Sequence, residues 1–231
     1  MSEYEEPYRA TKNDKKRMIK DWHSLFPFLH IKGNGLVKKN LPVLVGIALD
    51  YGFTPTSYVP TFFITNLLTS SYGTWDVCQR CRFLGGNKSE FWIHIHEHEQ
   101  LFRTTGGWLK EDFPDFLEDK PICFSFLIRE FQKQIEGVPY PNTNVLKDLA
   151  YLNGYYSRHD EVDKYVRFAV DLINSSTQKR ELLWENVKSV QEWEEKIRSE
   201  CSNPDLLRER VAQRVTEAKL DKFPDVPVIV D

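Results

Sequence analysis

Residues 78–100 read CQRCRFLGGNKSEFWIHIHEHEQ: two cysteines three apart, then three histidines at every second position. The alternation is the period of a β-strand, and GGNKS at 85–89 has the composition of a hairpin turn. A loop there pairs Leu84 with Glu90 and carries the register down both strands. It sets Cys78 opposite His96, Asp76 opposite His98 and Arg80 opposite His94. One face then holds Asp76, Cys78, His94, His96 and His98, together with Arg80 and Arg82. The other holds Val77, Cys81, Phe83, Phe91, Ile93 and Ile95 and faces the core.

Three readings of the polar face compete. An antiparallel sheet commonly leaves one side wet, and His, Arg and Asp are what such a side contains; the sequence favours this reading. The second is a zinc or manganese site on Asp76, Cys78, His94, His96 and His98, because neighbouring His94 and His96 would stand about 6.6 Å apart on a strand, a spacing at which two imidazoles can share an ion. The third is an anion-binding face built on Arg80 and Arg82, with Trp92 available for stacking. The literal C-x2-C-x12-H-x3-H spacing of Cys78, Cys81, His94 and His98 is that of a small zinc finger. Its context is wrong: two strand positions four apart are separated by roughly 13 Å, too far to share bonds of about 2 Å.

Outward from the hairpin, segments 36–50, 57–68, 74–84 and 90–101 read as strands, rich in Val, Ile, Phe and Thr and separated by turn compositions. Four strands with short connections predict an antiparallel sheet. Residues 13–25 predict an amphipathic helix with Asn13 as its N-cap. From Pro121 the spacing becomes helical: Pro121 suits a first turn, and Phe124, Leu127, Phe131 and Ile135 form a stripe. Gly106 and Gly107 read as turn glycines. The Pro- and Asn-rich stretch 137–144 marks a boundary, after which Leu183, Val187, Val190, Trp193, Ile197 and Cys201 line one helix face and Asn203-Pro204 caps another helix. The expectation is an α+β protein. An N-terminal helix (1–30) precedes an antiparallel sheet domain with a flanking helix (31–137) and a helical region (138–231).

Composition narrows function. The chain has 231 residues, a net charge of −3 and a pI near 6.1, without the basic excess of a duplex-binding domain. Residues 1–40 carry nine Lys and Arg against five Asp and Glu, which places a small basic patch at Lys15, Lys16, Arg17 and Lys20 on the first helix. No apolar run is long enough to span a bilayer and no secretory h-region is visible, so no membrane partner and a cytoplasmic location are expected. No nucleophile with a recognisable base appears. The expectation is therefore an accessory subunit or adaptor that binds another protein or its own copy, with nucleic acid not favoured. The alternative is a metal-dependent phosphodiesterase or nuclease. His94-Ile95-His96 has the His-hydrophobe-His form used by single-strand endonucleases of the replication-initiator type, and Tyr151-x3-Tyr155 would be the candidate tyrosine element.

Overall fold

The computed structural model describes residues 9–52, 56–70, 72–80, 90–136, 142–175 and 189–231, with residues 79 and 80 described in their backbone alone. The protein is α+β. Helix α1 (Lys12–Leu25) is followed by strands β1 (His30–Lys32), β2 (Gly35–Asn40), β3 (Val43–Asp50), β4 (Ser57–Asn66) and β5 (Val77–Arg80), an antiparallel sheet in the order β1-β2-β3-β4-β5. The short strand β6 (Ile93–His94) pairs with β4, Ser57 opposite His94 and Tyr58 opposite Ile93. Helices α2 (His98–Asp112), α3 (Phe124–Gln132), α4 (Thr143–Tyr155), α5 (His159–Ser175), α6 (Val190–Cys201) and α7 (Pro204–Glu217) follow, with strand β7 (Ile122–Cys123) before α3 and strand β8 (Val228–Ile229) near the end. Two compact units result. One comprises Met1–Lys39, Leu44–Ile64 and Cys78–Lys120, the other Asn40–Val43, Thr65–Val77 and Pro121–Asp231.

In the first unit the expected strand at 90–101 is corrected. The strand is limited to Ile93 and His94; Ile95–Glu97 form one 3-10 turn and His98 begins α2. The alternation holds as far as His96, with Ile93 and Ile95 buried and His94 and His96 exposed, and then gives way to helical spacing. His98, Phe102, Thr105, Gly106 and Leu109 are the buried stripe of α2. Gly106 and Gly107 are therefore helical and not turn glycines. A Cβ on Gly106 would lie 2.6 Å from Leu25 Cδ1 and 3.7 Å from Trp22 and Phe26, so this glycine lets α1 and α2 close on each other. The conformational freedom of a glycine in a helix costs about 1 kcal/mol; the close packing offsets it.

The cap of α1 is also corrected. Thr11, not Asn13, is the N-cap: its hydroxyl accepts the Asp14 N–H (3.2 Å) while the Asp14 carboxylate accepts the Thr11 N–H (2.9 Å), a capping box. The expected strand at 36–50 is two strands, β2 and β3, divided at Leu41 and Pro42, where proline has no N–H to give a ladder. The sheet departs from a half-wet pattern as well, since every residue of β2 and β4, and of β3 up to Asp50, is buried. Such continuous burial matches the near-unbroken apolar runs LPVLVGIAL and VPTFFI. On β4, Phe62 stacks on Phe113 with centroids 3.9 Å apart and meets Phe116 at 5.6 Å. Lys38, although buried, aims its Nζ at the carbonyls of Glu118 (3.0 Å) and Lys120 (3.3 Å), and burial draws its pKa down to about 8.

The second unit is mainly helical. Pro121 does not open a helix, because residues 122–123 are taken up in β7, which pairs in parallel with β8: Ile122 lies opposite Val228 and Cys123 opposite Ile229. Asp231 then accepts the Ser125 N–H (2.9 Å) and hydroxyl (2.5 Å), fixing the tail beside α3. Helices α4 and α5 form an antiparallel hairpin turning at Ser157, whose φ is 59°. A Cβ on Gly154 would fall 2.8 Å from Cys201 Cβ and 3.0 Å from its Cα, so α4 and α6 meet backbone to backbone there. Trp193, Ile197 and Cys201 are buried, giving their stripe of α6 an internal role; Leu183 and Val187 lie outside the described residues, as does the 137–141 part of the expected boundary. Asn203 caps α7 as the sequence predicts, accepting the Leu206 N–H at 3.2 Å, with Pro204 in the first turn.

Candidate anion-binding cleft

The histidine face is not assembled as its alternation predicts. His94 and His96 are exposed, their rings near parallel with centroids 5.7 Å apart. His98 is turned away from them into the first unit's interior. Its Nδ1 is 2.7 Å from the Tyr58 hydroxyl and its Nε2 is 3.0 Å from Asp21 Oδ2. Since the Trp22 indole N–H donates to that hydroxyl (3.0 Å), Tyr58 passes its own hydrogen to Nδ1, and the imidazole N–H on Nε2 donates to Asp21. The chain Trp22–Tyr58–His98–Asp21 satisfies four polar groups and ties α1, β4 and α2 together. Cys78 is exposed on β5. Asp76 belongs to the second unit, where it accepts the Asn66 N–H and the Ser70 hydroxyl, each at 2.5 Å. Arg82 lies outside the described residues and the side chain of Arg80 is not described. Among the described residues no group of three or more His, Cys, Asp and Glu is placed to hold a metal ion. The basic patch on α1 is divided: Arg17 pairs with Glu99 (2.6 Å) and Lys15 sits over the Tyr51 ring (4.2 Å).

The densest cluster of charge facing a cavity lies instead in the second unit. A cleft of about 210 Å³ is lined by Leu68, Thr69, Lys147, Tyr151, Lys196, Glu200, Arg210 and Arg214. Three helices each supply two residues four apart: Lys147 and Tyr151 from α4, Lys196 and Glu200 from α6, Arg210 and Arg214 from α7. Residues at that offset share one helix face, so each pair turns jointly to the cleft. Leu68 and Thr69 come from the turn after β4. Four cations thus face one carboxylate.

That carboxylate is already committed. Glu200 Oε2 accepts from the Tyr151 hydroxyl (2.8 Å) and from Arg210 Nη2 (2.5 Å), and burial together with Glu200 raises the Tyr151 pKa far above its ordinary value. Arg214 differs from Arg210. Its Nη1 donates to the carbonyls of Leu67 (2.6 Å) and Ser70 (3.0 Å), so its polar partners are dipoles and no carboxylate pairs with it among the described residues. Burial first, and the neighbouring Arg210 cation second, lower its pKa against the favourable charges of Glu217 and Asp76.

Thr69 joins the lining to a buried carboxyl. Its hydroxyl donates to Asp148 Oδ1, which also accepts from Asn66 Nδ2 at 3.2 Å. Burial, with the charge of Asp76 as the second cause, raises Asp148 well above the carboxylate range, and burial raises Asp76 as well.

None of these cleft residues except Tyr151 stands out in the sequence, where Lys196 reads as the partner of Glu192 on a solvated helix face. The available signal is the repetition of polar pairs at four-residue offset on three helices, and it becomes meaningful only once the helices are packed. No known family model, curated protein or solved structure matches the chain.

Proposed function

We propose that the protein is a cytoplasmic accessory subunit or adaptor whose second unit captures an acidic group of a partner protein in the cleft between α4, α6 and α7. The observation that carries the reading is Arg214, a half-buried guanidinium held by carbonyls beside a second guanidinium and two lysines, in a cleft whose one carboxylate is already used. An anion supplied from outside would complete this arrangement. The free thiols of Cys123 and Cys201 accord with a reducing compartment. A panel of Asp- and Glu-containing peptides, titrated by fluorescence anisotropy, tests the reading. Binding should weaken by about tenfold in the Lys196→Gln variant and fall steeply with salt, as charge-assisted contacts do. Peptides that bind wild type and variant alike would refute it.

A second reading is favoured by the two exposed, stacked imidazoles of His94 and His96: a metal-dependent phosphodiesterase using zinc or manganese. Metal analysis of protein purified without chelator or nickel, repeated on His96→Ala, separates the two. Stoichiometric metal lost in the variant would favour the enzyme.

A further inference from the structure

Helices α3, α5, α6 and α7 each pair a surface cation with a carboxylate one turn away: Lys133 with Glu130, Arg167 with Asp163, Arg198 with Glu194 and Arg208 with Asp205. Helix α1 carries a face built otherwise. Lys12, Lys16 and Lys20 are all exposed and recur every four residues, which makes a straight row with one charge about every 6 Å. No Asp or Glu stands three or four places from any of them. The two carboxylates of α1 are used elsewhere, Asp14 on the Thr11 cap and Asp21 on His98. Among the described residues no ion pair reaches the three lysines. Two local rules are broken here, since like charges at this offset repel and Lys12, the first residue of α1, meets the positive end of the helix dipole. The row contributes nothing to the fold, and a local rule broken without an internal gain marks a functional surface.

We propose that this row is a docking surface for an acidic segment of a partner protein, one whose carboxylates recur about every 6 Å, as they do at every fourth position of a helix. Charge complementarity selects that occupant, and the surroundings of the row disfavour two other anions. A helix that binds a bilayer surface inserts an apolar face, but Met18, Ile19 and Trp22 of α1 are buried inside the first unit. A nucleic-acid strand is held by aromatic side chains that stack on its bases, and Trp22, Phe26 and Tyr51 are all buried. What remains at the surface is charge alone, which suits a salt-sensitive contact that steers and registers an acidic partner. The surface belongs to the first unit and owes nothing to the cleft of the second.

The test titrates an Ala-based helical peptide with Glu at every fourth position into the full chain by fluorescence anisotropy. The comparison probes are a peptide of the same composition with its Glu residues out of register, phosphatidylserine vesicles and a single-stranded oligonucleotide. The in-register peptide should bind several-fold more tightly than the out-of-register one, and its affinity should fall as salt is raised. Lys16→Glu should weaken it about tenfold through like-charge contact. The melting temperature of that variant should hold or rise, because the new carboxylate stands four residues from both Lys12 and Lys20. No binding of the in-register peptide at low salt, or binding untouched by Lys16→Glu, would overturn the surface. Binding that falls in Lys196→Gln but not in Lys16→Glu would do the same while leaving the cleft reading standing. Tighter binding of vesicles or oligonucleotide would overturn the protein partner. Binding that appears only when Glu3, Glu5 and Glu6 are replaced by glutamine would give the row to the chain's own acidic residues and overturn it as well.

Discussion

Replacing His98 by alanine should cost the first unit about 3–5 kcal/mol, a loss that a histidine on a wet strand would not show. His98 is 0% exposed, and its ring lies 4.9 Å from that of Phe102 at an interplanar angle of 17°. Removing it takes away the acceptor of the Tyr58 hydroxyl, a group with no exposure of its own; a buried polar group left unpaired costs about 1–3 kcal/mol. The vacated ring volume adds about 2 kcal/mol through lost packing. Asp21 is partly exposed and can turn to water, so it adds little. The assay is urea denaturation followed by tryptophan fluorescence, supported by a thermal melt in which the transition should fall by roughly 10 °C. His98→Asn, whose side-chain oxygen can accept from Tyr58 where Nδ1 did, should recover about 1 kcal/mol or more. A His98→Ala loss below about 1 kcal/mol would refute the buried network and restore the exposed-face reading.

Gly154→Ala should destabilise by about 1–3 kcal/mol despite alanine's better helix propensity, because its Cβ would meet the Cys201 backbone; a neutral or stabilising result in denaturant titration would contradict the α4–α6 approach. Trp193→Ala should cost about 3–5 kcal/mol while leaving the mass in light scattering unchanged, since its stripe packs internally; a normal melt with altered mass would indicate an interface instead. Asp148, raised to about 8 by burial and Asp76, binds a proton in the folded state that the unfolded chain releases near pH 4. Stability from this group is therefore complete below that point and lost as pH rises through 8, and Asp148→Asn should flatten the decline. His98 works in the opposite sense: burial lowers its pKa against the pull of Asp21, so its contribution is present above about pH 6.5 and is lost as pH falls through the lowered native value. A His98→Asn protein whose acid limb matches wild type would contradict that.

The fold class was legible because most of the chain obeys one period at a time. Val, Ile and Phe in runs of four to ten gave the strands, and the offsets of Trp193, Ile197 and Cys201 gave a helix whose buried face is the expected one. The stretch FWIHIHEHE obeys two periods. Its first half alternates and its second half joins the helical set His98, Phe102, Leu109, and with Gly106 and Gly107 read as turn residues nothing drew the helix back to His98. A glycine pair inside a helix is intelligible only from the neighbour it admits, here Leu25 of α1. The cap of α1 shows a smaller ambiguity, since Thr11 and Asn13 are both good cap residues and the reciprocal bond with Asp14 decides between them. The cleft was not legible at all. Lys147, Lys196, Arg210 and Arg214 each look like solvated helix positions, and only the packing of α4, α6 and α7 brings them to one cavity.

The most direct test of that cavity's role is arginine side-chain NMR. The Nε–Hε resonances of Arg210 and Arg214, assigned with Arg→Lys variants, would be followed as an Asp- and Glu-containing peptide is added at constant ionic strength. Both should shift along one saturating curve, while exposed Arg167 and Arg208 stay fixed. Uniform small shifts at all arginines, or saturating shifts that leave Arg210 and Arg214 unmoved, would contradict an anion site in the second unit.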